Sequence, residues 1–183
     1  MCGIAGIVSL NGRPISDISL RLNKMRDLIK HRGPDQFGTY IADDRKFGIF
    51  NNRLSIVGIE DNLDLPLRKN NSSYILSFNG EVYNYRDLRK NLILSGSTFR
   101  TNTDTEVLLN GLIKHGTDYI KLIDGMWGLA FIDRNKSSIY LSRDVMGEKP
   151  VYYLINEDEL IFCSEVAPII SSMKEEPEWN DNA

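Results

Sequence analysis

At 183 residues, 42% hydrophobic and 26% charged, with a formal net charge of −3, the chain has the size and composition of one soluble domain. Lys and Arg form no long run, which speaks against a nucleic-acid-binding surface, and no apolar stretch approaches membrane-spanning length. Two cysteines, Cys2 and Cys163, make no disulfide framework, and an apolar start without a basic leader reads as cytoplasmic.

Residues 2–10 are β-branched and glycine-rich and read as a buried first strand ending at the turn signal Asn11-Gly12. Ile18, Leu22, Met25 and Ile29 repeat at helical spacing, with Asp17 placed to cap the helix and Gly33-Pro34 placed to end it. Residues 38–57 read as two or more strands around a charged turn at Asp43-Asp44, and 58–72 as a surface loop. Residues 74–78 form a strand that runs into Asn79-Gly80, a dipeptide favouring tight turns. Helices follow over 84–94 and 104–114, the second closed by Lys114-His115-Gly116. Strands are expected over 128–133, 139–142, 151–155 and 159–163, then a short helix over 166–173 and a polar tail over 174–183. The glycosylation-like triplets at Asn71 and Asn135 read as plain turns. Many short strands with a few amphipathic helices give an α+β fold of packed layers, with a strand order that periodicity does not supply.

Position 2 carries the most chemistry. Removal of Met1 would leave Cys2 with a thiol and a free α-amine, so that one residue supplies both nucleophile and base. Two histidines and one internal cysteine make no recognisable metal site, and Cys163, between Phe162 and Ser164, reads as core.

Eight blocks occur in one order: MCGIAGI at 1–7, HRGPD at 31–35, RLSIV at 53–57, FNGEVYNY at 78–85, TNTDTE at 101–106, MWGLAFID at 126–133, LSRDVMGEKPVYY at 141–153 and FCSE at 162–165. On these blocks the chain resembles the glutaminase domain of glutamine-dependent asparagine synthetases, within the class II glutamine amidotransferases. The resemblance implies a four-layer αββα sandwich of the N-terminal-nucleophile hydrolase type. It also implies hydrolysis of the glutamine side-chain amide through a Cys2 thioester, supplying ammonia to a synthetase.

By that resemblance, Asn79 and Gly80 form the oxyanion hole. Arg53 pairs with the glutamine α-carboxylate and Asp104 with its α-ammonium, while Glu81 assists beside them. Leu54, Ser55, Ile56 and Val57 line the pocket. Read alone, Asn79-Gly80 is a hairpin turn and Asp104 a helix N-cap. Arg32, Gly33, Pro34 and Asp35 are expected to organise a loop near the site, with His31 outside the chemistry and His115 at a helix end. Arg143, Asp144, Gly147, Lys149 and Pro150 read as a structured loop with an internal ion pair.

Gly58 departs from the usual Asp of the family, and Leu65 from the usual Gln before proline. No second-domain pyrophosphate loop occurs in the sequence. The expected organisation is therefore an amidotransferase domain over 1–173 and a tail or linker over 174–183. A synthetase unit would lie in cis or in a separate subunit. No cofactor or metal is expected for the glutaminase step, with ATP and Mg needed only by that synthetase. A homodimer stays open, as do two alternatives: a silent glutamine-binding module, and ammonia donation to an acceptor other than aspartate.

Overall fold

The first strand, β1 (Gly3–Ser9), owes its central place to small and β-branched residues that pack on both faces. The computed structural model describes residues 1–54 and 63–173. Ser55, Ile56, Val57 and Gly58 and the tail 174–183 therefore lie outside the described residues. The remaining strands are β2 (Gln36–Ile41), β3 (Phe47–Arg53), β4 (Leu67–Lys69), β5 (Tyr74–Val82), β6 (Gly125–Asp133), β7 (Ser138–Arg143), β8 (Tyr152–Ile155) and β9 (Glu159–Cys163). The helices are α1 (Ile18–Ile29), α2 (Tyr85–Leu94), α3 (Asp104–His115) and α4 (Val166–Ser172).

Two antiparallel sheets form, in the orders β2-β3-β1-β9-β8 and β4-β5-β6-β7. Ile4, Ile49, Ile75, Ala130, Ile132 and Phe162 fill the space between them. On the first sheet, Ile18, Leu22, Met25 and Ile29 of α1 pack over Ala5, Ile7 and Phe50, with Ile169 of α4 beside them. On the second, Val107, Leu108 and Leu112 of α3 and Leu88 and Leu92 of α2 cover Leu76, Phe78 and Leu129. These three buried layers make the αββα sandwich.

The sequence reading needs four corrections. Asp17 opens α1 from the N-cap position, its carbonyl accepting the Arg21 N–H at 3.0 Å, but in a left-handed backbone (φ 52°, ψ 25°) and with no side-chain cap bond. The 63–72 part of the expected loop contains β4, and Leu63, Leu65 and Leu67 are buried. Asn79-Gly80 is no turn: β5 runs through it, with Asn79 opposite Gly128 and Gly80 opposite Trp127. The loop after β7 has no internal ion pair among the described residues. Instead the buried Asp144 carboxylate accepts the backbone N–H groups of Trp127, Glu148 and Lys149 at 3.0–3.1 Å, which hold its pKa low.

The α3 N-terminus is fastened tightly. Thr103 is its N-cap, and its hydroxyl accepts the Glu106 N–H at 3.3 Å. The buried Glu106 carboxylate accepts from Arg100 N, Thr101 N and Thr101 Oγ1, and pairs with Lys69 Nζ of β4 at 3.2 Å. These partners hold the Glu106 pKa down against burial. Its contribution to stability is present above the ordinary glutamate pKa and is lost as pH falls through the lower folded value. Glu106→Ala strands several buried donors, so urea denaturation should show a loss of about 3 kcal/mol. A loss below about 1 kcal/mol would mean that water replaces the carboxylate.

Candidate active site

Cys2 stands at the entrance of β1. The antiparallel register that sets Gly3 opposite Asn52 brings Cys2 beside Arg53, the last residue of β3. The Leu54 N–H donates to Cys2 Sγ at 3.4 Å, and the thiol lies 3.7 Å from the Leu54 carbonyl. Burial pushes the Cys2 thiol pKa up. The Leu54 contact, the positive N-terminus and Arg53 pull against that rise, and Asp104 adds to it. A thiol in this state needs a base to become a nucleophile.

The HRGPD segment holds this corner. Arg32 Nε donates to the Cys2 carbonyl at 3.0 Å, while its Nη1 pairs with Glu165 at 2.9 Å. Gly33 lies so close to β3 that an added Cβ would come within 2.6 Å of Arg53 N. Pro34 forms a bridge with Arg53, and the Asp35 N–H donates to the Arg53 carbonyl at 3.2 Å. His31 is exposed and bonds Glu165, which keeps it away from the thiol. His115 stacks on Tyr119, and Cys163 is fully buried in the core with its pKa pushed up to about 11.

The other wall of the cleft is β5. Backbone groups along an antiparallel strand point alternately to one neighbour and the other. Phe78 N–H donates to Asn51 Oδ1 at 3.1 Å and Val82 N–H to Asp104 Oδ2 at 3.0 Å, both on the edge away from β6. Tyr83 N–H, of opposite parity, donates to Asp124 on the β6 side. The Gly80 N–H therefore points to the same open edge as those of Phe78 and Val82. A side chain at Gly80 would meet Met126 O at 2.2 Å, so glycine is required there. Asn79 is 1% exposed, and its Nδ2 has no hydrogen-bond partner among the described residues. A buried amide without a partner costs free energy unless a ligand completes it.

Asp104 is not the helix cap, because Thr103 holds that position; Asp104 opens α3. It is 6% exposed and accepts from Val82 N, Thr105 N and Thr105 Oγ1. Burial raises its pKa, those hydrogen bonds oppose the rise, and the nearby Glu81 charge adds to it. Two carboxylates in one confined space form a receptor for a cation. At the far side Arg53 Nη1 donates to Gln36 Oε1 at 3.0 Å.

Cys2, Arg53, Leu54, Asn79, Gly80, Glu81 and Asp104 thus line one cleft, so the described members of the expected site come together. Asn51, Leu63, Leu65, Phe78, Thr105 and Lys149 line it as well and were missed. For the leucines the alternation Leu63, Leu65, Leu67 was a readable strand signal. Lys149 arrives through the Asp144-centred loop, which no local pattern reveals.

The fold is that of the N-terminal-nucleophile amidotransferases. A glutamine phosphoribosylpyrophosphate amidotransferase from B. subtilis superposes with a TM-score of 0.76 at 20% identity, over 93% of this chain and 43% of that one. A structure described as the allosteric regulatory enzyme of purine biosynthesis gives 0.77 at 18%, with the same coverage. A family model described as a glutamine amidotransferase domain matches residues 1–183, and the chain belongs to that family.

Among its relatives are the putative asparagine synthetase [glutamine-hydrolyzing] 2 of Methanocaldococcus jannaschii and asparagine synthetase [glutamine-hydrolyzing] 2 of Bacillus subtilis. The first is 35% identical over 187 residues, covering 93% of this chain and 35% of that protein. The second is 36% identical over 172 residues, covering 93% and 22%. The chain spans about a third or less of these curated relatives. No helix among the described residues is long and apolar enough to cross a membrane.

Proposed function

We propose that the chain hydrolyses the side-chain amide of free glutamine to glutamate and ammonia, with Cys2 as nucleophile after removal of Met1. The observation that carries this reading is the pair of donors in the Cys2 cleft: the buried Asn79 Nδ2, which has no partner among the described residues, and the edge N–H of Gly80. In the reaction the Cys2 α-amine takes the thiol proton, and Sγ attacks the amide carbon. Asn79 Nδ2 and Gly80 N–H donate to the oxyanion as its charge develops. The C–N bond breaks, the leaving nitrogen takes the proton, and ammonia departs. Water then hydrolyses the thioester, releasing glutamate and restoring the thiol.

The clamps select a free amino acid. Arg53 offers a planar fork to the α-carboxylate, and Asp104 with Glu81 receives the α-ammonium. Leu54 and Leu65 supply apolar wall for the methylenes, with Leu65 in place of the usual glutamine. Ser55, Ile56 and Val57 are read as completing this wall. The glutaminase step needs no cofactor in this mechanism. Ammonia passes to an ATP- and Mg-dependent synthetase unit of the kind named in the relatives, in cis or as a subunit, in the cytoplasm.

Asp104 gives a test with a sign. Its raised folded pKa means that ionised Asp104 weakens the empty protein. Stability falls as pH rises from the unfolded carboxylate value through the folded one. Asp104→Asn should therefore leave the empty protein as stable or more so by thermal melting. Glutamine KM should rise at least about 10-fold from the lost charged hydrogen bond. In the unsubstituted protein KM should climb as pH falls toward the Asp104 pKa, and the variant should lack that climb. An unchanged KM in the variant would remove Asp104 from the ammonium site.

A further inference from the structure

We propose that Asn51 is a positioning residue for the oxyanion site, setting the spacing between the strand that follows Cys2 and the strand that carries Asn79 and Gly80. The proposal rests on the glutaminase reading above. Asn51 lies on β3, in the first sheet, and is 2% exposed. Its two Nδ2 hydrogens are shared among Gly3 O and Asn52 O at 3.0 Å and Phe78 O at 3.2 Å, while its Oδ1 accepts Phe78 N–H at 3.1 Å. One side chain therefore grips the residue after the nucleophile and both backbone groups of the residue before Asn79.

The chemistry demands an amide. β4 pairs with positions 74–76 of β5, so among the described residues that edge of β5 has no strand neighbour beyond Leu76. Asn carries a donor and an acceptor fixed in one plane and can stand in for the missing peptide. Asp lacks the donor and Ser lacks the reach. A second bond between the sheets, Ser77 Oγ donating to Phe50 O at 2.8 Å, ties β5 to β3 but touches neither Gly3 nor Phe78. Ser77 therefore separates a general cross-sheet fastening from control of the oxyanion geometry. Misplacement by a fraction of an ångström acts on the transition state, where the donors meet a developing charge, more than on glutamine binding.

The experiment compares Asn51→Ser, Asn51→Asp and Ser77→Ala with the unsubstituted full chain, all with Met1 removed. It measures kcat and KM for glutamine and the melting temperature. The expected result is a fall in kcat of about 30- to 100-fold in both Asn51 variants, with KM held within about 3-fold. Ser77→Ala should lower the melting temperature and keep kcat within about 3-fold. An unchanged kcat in the Asn51 variants, an equal fall in Ser77→Ala, or a rise in KM alone overturns the role. Loss of the folded state in both Asn51 variants makes Asn51 a folding residue and overturns it too. No hydrolysis by the unsubstituted chain removes the glutaminase reading itself, a separate failure visible in the same assay.

Discussion

Glutamine hydrolysis should fall by at least about 10⁴-fold in Cys2→Ala, while glutamine still binds. In the proposed reaction the thiol supplies the bond that carries the acyl group, and among the described residues no other thiol lines the cleft. Cys163 is the second thiol of the chain, and it lies in the core at 0% exposure with a pKa near 11. Arg53, Glu81 and Asp104 stay in place in the variant, so calorimetry should return an affinity close to the parent's. Protein that keeps Met1 should be as inactive as the variant. Its α-amine belongs to Met1, one peptide removed from the thiol, and burial keeps that thiol protonated near neutral pH. Intact mass after treatment with 6-diazo-5-oxo-L-norleucine separates the cases. One glutamine-protectable adduct should appear on processed protein and none on Cys2→Ala or on Met1-bearing chains. Turnover within about 10-fold of the parent in Cys2→Ala would place the nucleophile elsewhere.

Asn79→Ala should cut kcat by about 10²- to 10³-fold and leave KM within about 3-fold. The Asn79 Nδ2 is buried and has no partner among the described residues, and in the proposed reaction it gains its strongest bond only when the carbonyl oxygen becomes an oxyanion. Removing the side chain also relieves a buried unsatisfied donor, so the variant should melt no lower than a simple cavity would require. Steady-state kinetics and thermal melting on the same preparation check both statements. A proportional rise in KM would make Asn79 a binding residue instead.

Much of the architecture was legible because it is written locally. The 3.6-residue spacing in α1 and α3 follows from each helix covering one sheet, and Gly116 at φ 72° closes α3 as its sequence suggests. That Cys2, Arg53, Asn79, Gly80, Glu81 and Asp104 line one cleft was legible through whole motif blocks, not through spacing. Asn79-Gly80 misled because its turn preference is local, whereas nine-residue pairing of β5 with β6 overrides it. Asp104 looked like a cap because it precedes a helical pattern; Thr103, one residue earlier, takes that role and leaves the carboxylate for Val82 and the cleft. Asn51 was illegible because its meaning lies in Gly3 and Phe78, far away in sequence. Lys149 depends likewise on Asp144 gathering the backbone of its loop.

The position of β1 has a consequence for synthesis. It sits at the centre of its sheet, between β3 and β9, and its Ile4 exchanges hydrogen bonds with Ser164, whose N–H reaches the Ile4 carbonyl at 2.9 Å and whose hydroxyl accepts Ile4 N–H at 3.0 Å. A ribosome adds Ser164 162 residues after Cys2. Throughout that interval β1 has an unpaired edge and lacks the neighbour that completes its sheet. The thiol therefore waits for the end of translation of its own domain before it meets a finished cleft. A nascent chain stalled before β9 carries Cys2 without the completed sheet around it.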